Sequence, residues 1–133
     1  MADQVNVTNM SSSEPLSELM SLPAFNEATV IALKLEAKYL DHVFNLYWES
    51  AQREINDIGQ ALDDVDQTKL RKVAHSLKGS SRMLGGERLG ALAGFVEQKA
   101  RQNESISEPQ LLDCLHVSLA DFKRAVLQSN LLS

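Results

Sequence analysis

Between Pro23 and Pro109 the chain contains no proline. So long a run without a helix breaker lacks the punctuation of a strand-and-turn protein, and helices are expected along it. Aromatic residues make up only 5% of the sequence, which also argues against an all-β fold. Apolar residues within the run recur at three-and-four spacing. Asn26 is read as the N-cap of a first helix through Val30, Ile31 and Leu33. Leu40, Val43, Phe44, Tyr47, Ala51, Ile55, Ile58 and Leu62 stripe a long second helix. Asp63, Asp64 and Asp66 mark a turn and cap a third, with Leu70, Val73, Leu77 and Leu84 on its apolar side and the small Ser81 between them. Gly85-Gly86 closes that helix, because glycine tolerates the left-handed conformation at a helix end. Leu89, Leu92, Val96 and Ala100 define the fourth helix. Ser107 and Gln110 resemble a capping box, and Leu111, Leu115, Leu119, Phe122 and Val126 stripe the last helix. Short connections force sequential helices to be neighbours, so the expected fold is all-α: an antiparallel up-and-down four-helix bundle with an extra short N-terminal helix. Residues 1–22, with Ser11-Ser12-Ser13, are expected to form a flexible tail with one helical turn near Leu16 to Met20, and residues 23–133 the packed domain.

A length of 133 residues suits one domain and argues against a two-domain enzyme. Cys114 is the only cysteine, the N-terminus carries no basic-then-apolar signal segment, and no apolar run approaches a membrane span. A reducing, cytoplasmic location is therefore expected. The net charge of −5 is unevenly spread. Residues 1–66 hold twelve acidic residues against Lys34, Lys38 and Arg53, a balance of −9. Residues 67–101 hold Lys69, Arg71, Lys72, Lys78, Arg82, Arg88, Lys99 and Arg101 against Glu87 and Glu97, a balance of +6. One basic segment in an acidic protein points to a small anionic group or an acidic partner site, and a duplex would demand a wider basic face.

Helical geometry turns about 100° per residue, which places Leu70, Val73, Leu77, Ser81 and Leu84 on the side opposite His75. On the same arithmetic Arg71, Lys72, Lys78, Gly79 and Arg82 fall within roughly 60° of it. The imidazole is thus expected in solvent, ringed by four cations and one glycine. An ordinary solvated face explains this poorly. Like charges at helical spacing repel by a few tenths of a kcal/mol per pair, and glycine inside a helix costs about 1 kcal/mol relative to alanine. Adjacent cations discourage protonation of an imidazole and stabilise an added phosphoryl group, and a neutral imidazole is a nucleophile. Gly79, one turn along, leaves room for another protein to approach.

The segment Ala74-His75-Ser76-Leu77-Lys78-Gly79-Ser80-Ser81, followed by Leu84-Gly85-Gly86 and Leu89, resembles the signature of histidine-containing phosphotransfer (HPt) domains. The likeness extends over roughly residues 25–128. It implies that His75 is phosphorylated, that Lys78 lies beside the phosphoryl group, and that Gly79 admits a receiver domain. Arg71, Lys72 and Arg82 are assigned to phosphate neutralisation or docking. The sequence departs from the pattern in two places: many family members have alanine at the position of Gly86, and Arg82-Met83 is bulky after Ser80-Ser81, which bears on partner choice. The function implied is a stand-alone phosphorelay carrier without turnover of its own. It would take a phosphoryl group from one receiver-domain aspartate and pass it to another, its partners being the receiver domain of a hybrid sensor histidine kinase and that of a response regulator. By the same resemblance the receiver brings the Mg²⁺, so this chain needs no cofactor; docking is expected through the exposed faces of its second and third helices, and four long amphipathic helices of its own predict a monomer.

Other readings have less behind them. A sensor kinase dimerisation domain has an acidic residue after its histidine and a nucleotide-binding domain after its bundle, whereas Ser76 follows His75 here and no such domain follows. Gly85, Gly86, Gly90 and Gly94 lack the lysine or strand context of a phosphate loop. His42, His75 and His116 lie on three helices without metal-ligand spacing, so no metal site is expected. His42 and His116 read as solvated, Cys114 as half-buried, and Phe44, Tyr47 and Trp48 as core. The basic segment lacks interleaved aromatics, which disfavours single-stranded nucleic acid. The remaining alternative is a helical adaptor that binds receiver-like acidic partners without accepting phosphate. Met83 is placed at the rim of the contact surface.

Overall fold

The structure is a computed structural model that describes residues 14–133, and all of its regular elements are helices. They are α1 (Glu14–Met20), α2 (Glu27–Ile31), α3 (Ala37–Asp63), α4 (Gln67–Met83), α5 (Glu87–Arg101) and α6 (Leu111–Gln128). Consecutive helices from α3 to α6 pack on one another, and α6 returns to α3. Two side-chain contacts fix the direction of the α3–α4 pair: Tyr47 meets Ser81 and Glu54 meets Ser76. The partner number falls as the α3 number rises, so the helices are antiparallel. No helix among the described residues is long and apolar enough to cross a membrane.

The predicted stripes are the core. Leu40, Phe44, Tyr47, Ala51, Ile55 and Ile58 from α3 meet Leu70 and Leu77 from α4, Leu89, Leu92 and Val96 from α5, and Leu111, Leu115, Leu119, Phe122 and Val126 from α6. Phe122 sits in an aromatic group, with the rings of Phe25, Phe44, Tyr47 and Trp48 all within 6.0 Å of its own. Asp66 caps α4 as expected, its carboxylate accepting from the Lys69 amide at 3.0 Å. At the other end of α4 the backbone reverses at Gly85, whose φ is 84°, and the Gly86 amide donates to the Ser81 carbonyl at 2.7 Å. A side chain at Gly85 would be strained and would also meet the Asn26 carbonyl.

Three expectations are corrected. The packed domain begins before residue 23: Leu16 of α1 is buried, Ser118 Oγ donates to Met20 Sδ, and Arg88 Nε donates to the Leu22 carbonyl at 2.9 Å. Residues 1–13 of the expected tail lie outside the described residues. Two short helices therefore precede the bundle among the described residues, and the second ends at Ile31, leaving Ile31 and Leu33 exposed. The physical reason is the turn through Lys34, whose positive φ of 56° carries the chain away before another helical turn can form. Asn26 does hold the N-cap position of α2, but its side chain makes no capping bond. Nor do Ser107 and Gln110 form a capping box. The turn that carries Pro109 bonds the Leu111 amide to the Glu108 carbonyl, so α6 starts later, with Gln110 as an N-cap lacking a side-chain bond.

Candidate functional site

His75 projects from the middle of α4 with 64% of its side chain exposed, while its neighbours Ala74 and Leu77 are fully buried. The period of the helix thus turns the imidazole outward, as the angular arithmetic predicts. Gly79 leaves a gap beside it: a Cβ there would find nothing within 4 Å. Ser76 Oγ donates to Glu54 Oε2 at 2.5 Å, which brings an α3 carboxyl to the residue next to His75. Burial pushes the Glu54 carboxyl above its ordinary range, against the opposing effect of that bond.

The surroundings of His75 are not the free ring of cations that the sequence suggests. Glu97, on α5, reaches beneath the imidazole with only 3% of its side chain exposed. Its Oε2 lies 2.7 Å from His75 Nδ1 and also accepts from Arg101 Nη2 at 3.0 Å and Nε at 3.2 Å. Its Oε1 lies 2.5 Å from Lys78 Nζ. Burial alone would raise the Glu97 carboxyl, but the bonds from Lys78, His75 and Arg101 outweigh it and hold the group at about 2. A carboxylate that stays ionised only accepts hydrogen bonds, so the proton of the neutral imidazole sits on Nδ1 and is donated to Glu97. The lone pair is then on Nε2, the nitrogen away from the carboxylate.

The stem of Lys78 reaches Glu97 across a small-residue stripe of α5. A Cβ at Gly94 would lie 3.4 Å from Lys78 Cδ, and one at Gly90 would lie 2.9 Å from Arg82 Cγ. Lys78 is therefore beside His75 but already paired, and Arg82 runs along α5 instead of standing free around the ring. Arg71, Lys72 and Arg82 make no ion pair among the described residues, and Arg71 lines a groove with Ala100 and Arg101. Glu97 and Arg101 were legible in principle: Gly90, Gly94, Glu97 and Arg101 recur at four-three-four spacing, the period of one helix face. Charge counting hides Glu97, because it enters as one of two acids diluting a basic segment. His42 and His116 are exposed on α3 and α6, and Cys114 is half-buried. Among the described residues no three His, Cys, Asp or Glu side chains gather as metal ligands.

The family model for the Hpt domain matches residues 42–125. The chain belongs to the Hpt domain family. That span holds His75, Lys78, Gly79, Glu97 and Arg101. Among solved structures, the histidine-containing phosphotransfer protein B of Pseudomonas aeruginosa PAO1 is similar, with 22% identity and a TM-score of 0.71. The similarity covers 83% of this chain and 100% of that one, and shows a shared fold. No curated protein matches the chain in sequence. Within this Hpt domain, His75 lies on α4 and Glu97, the carboxylate bonded to it, on α5.

Proposed function

We propose that the chain is a phosphorelay carrier that accepts a phosphoryl group on His75 from a receiver-domain aspartate and passes it to a second receiver. One observation carries the reading: an exposed imidazole whose Nδ1–H is bonded to the buried, ionised Glu97, leaving the Nε2 lone pair free. In the forward step Nε2 forms the N–P bond as the acyl O–P bond breaks, and the aspartate carboxylate departs with the electron pair. Nδ1 keeps its proton. Nothing needs to be deprotonated first, so no general base is required.

Around that nitrogen the reading gives Lys78 the role of neutralising the phosphoryl oxygens, and Arg71, Lys72 and Arg82 supporting roles in neutralisation or docking. Gly79 keeps the approach open. The receiver docks over the exposed faces of α3 and α4, where Leu46 and Met83 offer apolar surface. The partners are the receiver domain of a hybrid sensor histidine kinase and that of a response regulator, the location is cytoplasmic, and the working state is a monomer.

The test is incubation with a phosphorylated receiver domain. Wild-type protein should gain label that is released by acid and survives alkali, as phosphohistidine does, and pass it to a second receiver. His75→Gln should fold and dock yet gain none. A His75→Gln protein that retained full activity in the relay would leave only the adaptor reading.

A further inference from the structure

The geometry points to a binding site for a small aliphatic amine at the end of the bundle far from Gly85, in a cavity of about 270 Å³ between the α3–α4 turn and the α5–α6 connection. The site is independent of the carrier reading. Gln67, the α4 residue that offers it a polar group, precedes His75 by eight positions, about 12 Å of helix rise. The cavity walls are apolar, with Leu62 of α3, Leu70 of α4 and Ile106 of the connection all packed in or against the core. Its charged lining is wholly acidic: Glu104 and Glu108.

Glu108 sets the chemistry. Only 8% of this residue is exposed, and its Oε2 is buried without a hydrogen-bond partner among the described residues. No lysine or arginine pairs with it there. A second acceptor lining the same cavity is orphaned as well. Gln67 Nε2 donates to the Glu104 carbonyl at 3.0 Å, which fixes the orientation of the amide and leaves Oε1 buried with no donor. Burying such groups forfeits their bonds to water with nothing in return, so the cavity is short of a donor. The terminal torsions of Glu and Gln are soft, and each oxygen can turn to meet a donor that enters. A primary ammonium brings three donors, no acceptor and a charge that offsets Glu108, while its methylene stem would lie along Leu62, Leu70 and Ile106. The protein's own Lys99 reaches only the half-exposed Glu104, at 3.4 Å. A divalent metal ion such as calcium takes about six or more oxygens, and no three acidic, histidine or cysteine side chains gather among the described residues.

The test is titration of the full chain with butylamine, followed through its backbone amide resonances by NMR. The amides of Leu62, Leu70, Ile106 and Glu108 should shift and saturate, whereas 1-butanol, with the same stem and no charge, should leave them in place. Glu108→Gln should bind butylamine about tenfold or more weakly, because a charge-assisted bond is lost. Should that variant not fold, Gln67→Met, similar in length but without the acceptor, should weaken binding in its place. An equal response to butanol would reduce the site to an apolar cavity. The same shifts at lower concentrations of Ca²⁺ would make it a metal site, and tighter binding of N-acetyl-lysine amide would make its ligand a lysine side chain of another protein. Each of these results overturns the assignment, as would butylamine shifts that are absent, that spread over the acidic surface, or that persist unweakened in the variants. None of these readouts depends on phosphoryl transfer, so the carrier reading stands or falls separately.

Discussion

At the scale of single residues, Glu97 ties the electrostatics around His75 to the stability of the fold. Its carboxyl is held at about 2, below the ordinary 4.5, so the folded state binds this proton less readily than the unfolded chain. The sign follows from linkage: the contribution is fully present above the unfolded value and is lost as pH falls through the folded one. Wild type should lose stability between pH 4.5 and about 2, and Glu97→Gln should show a flatter acid limb over the same window by chemical denaturation. Parallel limbs would mean that the site contributes nothing to folding. Gly79 separates stability from transfer. With nothing within 4 Å of its Cβ position, Gly79→Arg should hold or raise the melting temperature, by up to about 1 kcal/mol of helix propensity, while phosphoryl transfer falls. Loss of stability and transfer together would mean that the glycine serves packing.

Among the elements, the α4–α5 hairpin carries the most stringent packing. Gly86, the N-cap of α5, lies against the buried ring of Phe122, and a Cβ there would fall 2.7 Å from Cδ2 and nearer still to Cε2. The ring is wedged among four other aromatic side chains and cannot retreat freely. Gly86→Ala should therefore destabilise by about 1–3 kcal/mol as an overpacking substitution, seen as a lower denaturation midpoint with little change in slope. An unchanged midpoint would show that the aromatic group repacks at no cost. The four bundle helices and their buried stripes were legible in the sequence, because burial on one face is what a three-and-four period records. His75 and Gly79 were legible for the same reason, since each stands off the apolar stripe. The pairing of Lys78 was hidden: it depends on a carboxylate from another helix, and no periodicity within α4 encodes what α5 presents to it. The packing of α1 was also hidden, because a helix this short offers Leu16, Leu19 and Met20 too few repeats to distinguish a docked turn from a loose one.

For the molecule as a whole, four long helices close a core without borrowing from a second chain. Exposed apolar side chains are less scattered than the sequence suggests, since Ile31, Leu33, Leu35 and Tyr39 follow one another from the end of α2 into α3. The rest, Leu46, Val65, Met83, Val117 and Leu127, are spread over three helices and the α3–α4 turn. The expected state is a monomer, and light scattering at micromolar concentration should return the 14.7 kDa of one chain. Twice that mass would point to the two-chain bundle of a kinase dimerisation domain. One arrangement within this molecule has a consequence for descent. His75, Lys78, Glu97 and Arg101 all belong to the α4–α5 hairpin, whereas Leu46 and Glu54 belong to α3. If receivers dock as proposed, a lineage carrying this fold can rewrite the outward face of α3, and so change part of what its partners meet, without touching the residues around His75. On that reading the α3 part of the docking surface can diverge at its own pace, while the α4 part, with Gly79 and Met83, stays tied to the reactive hairpin.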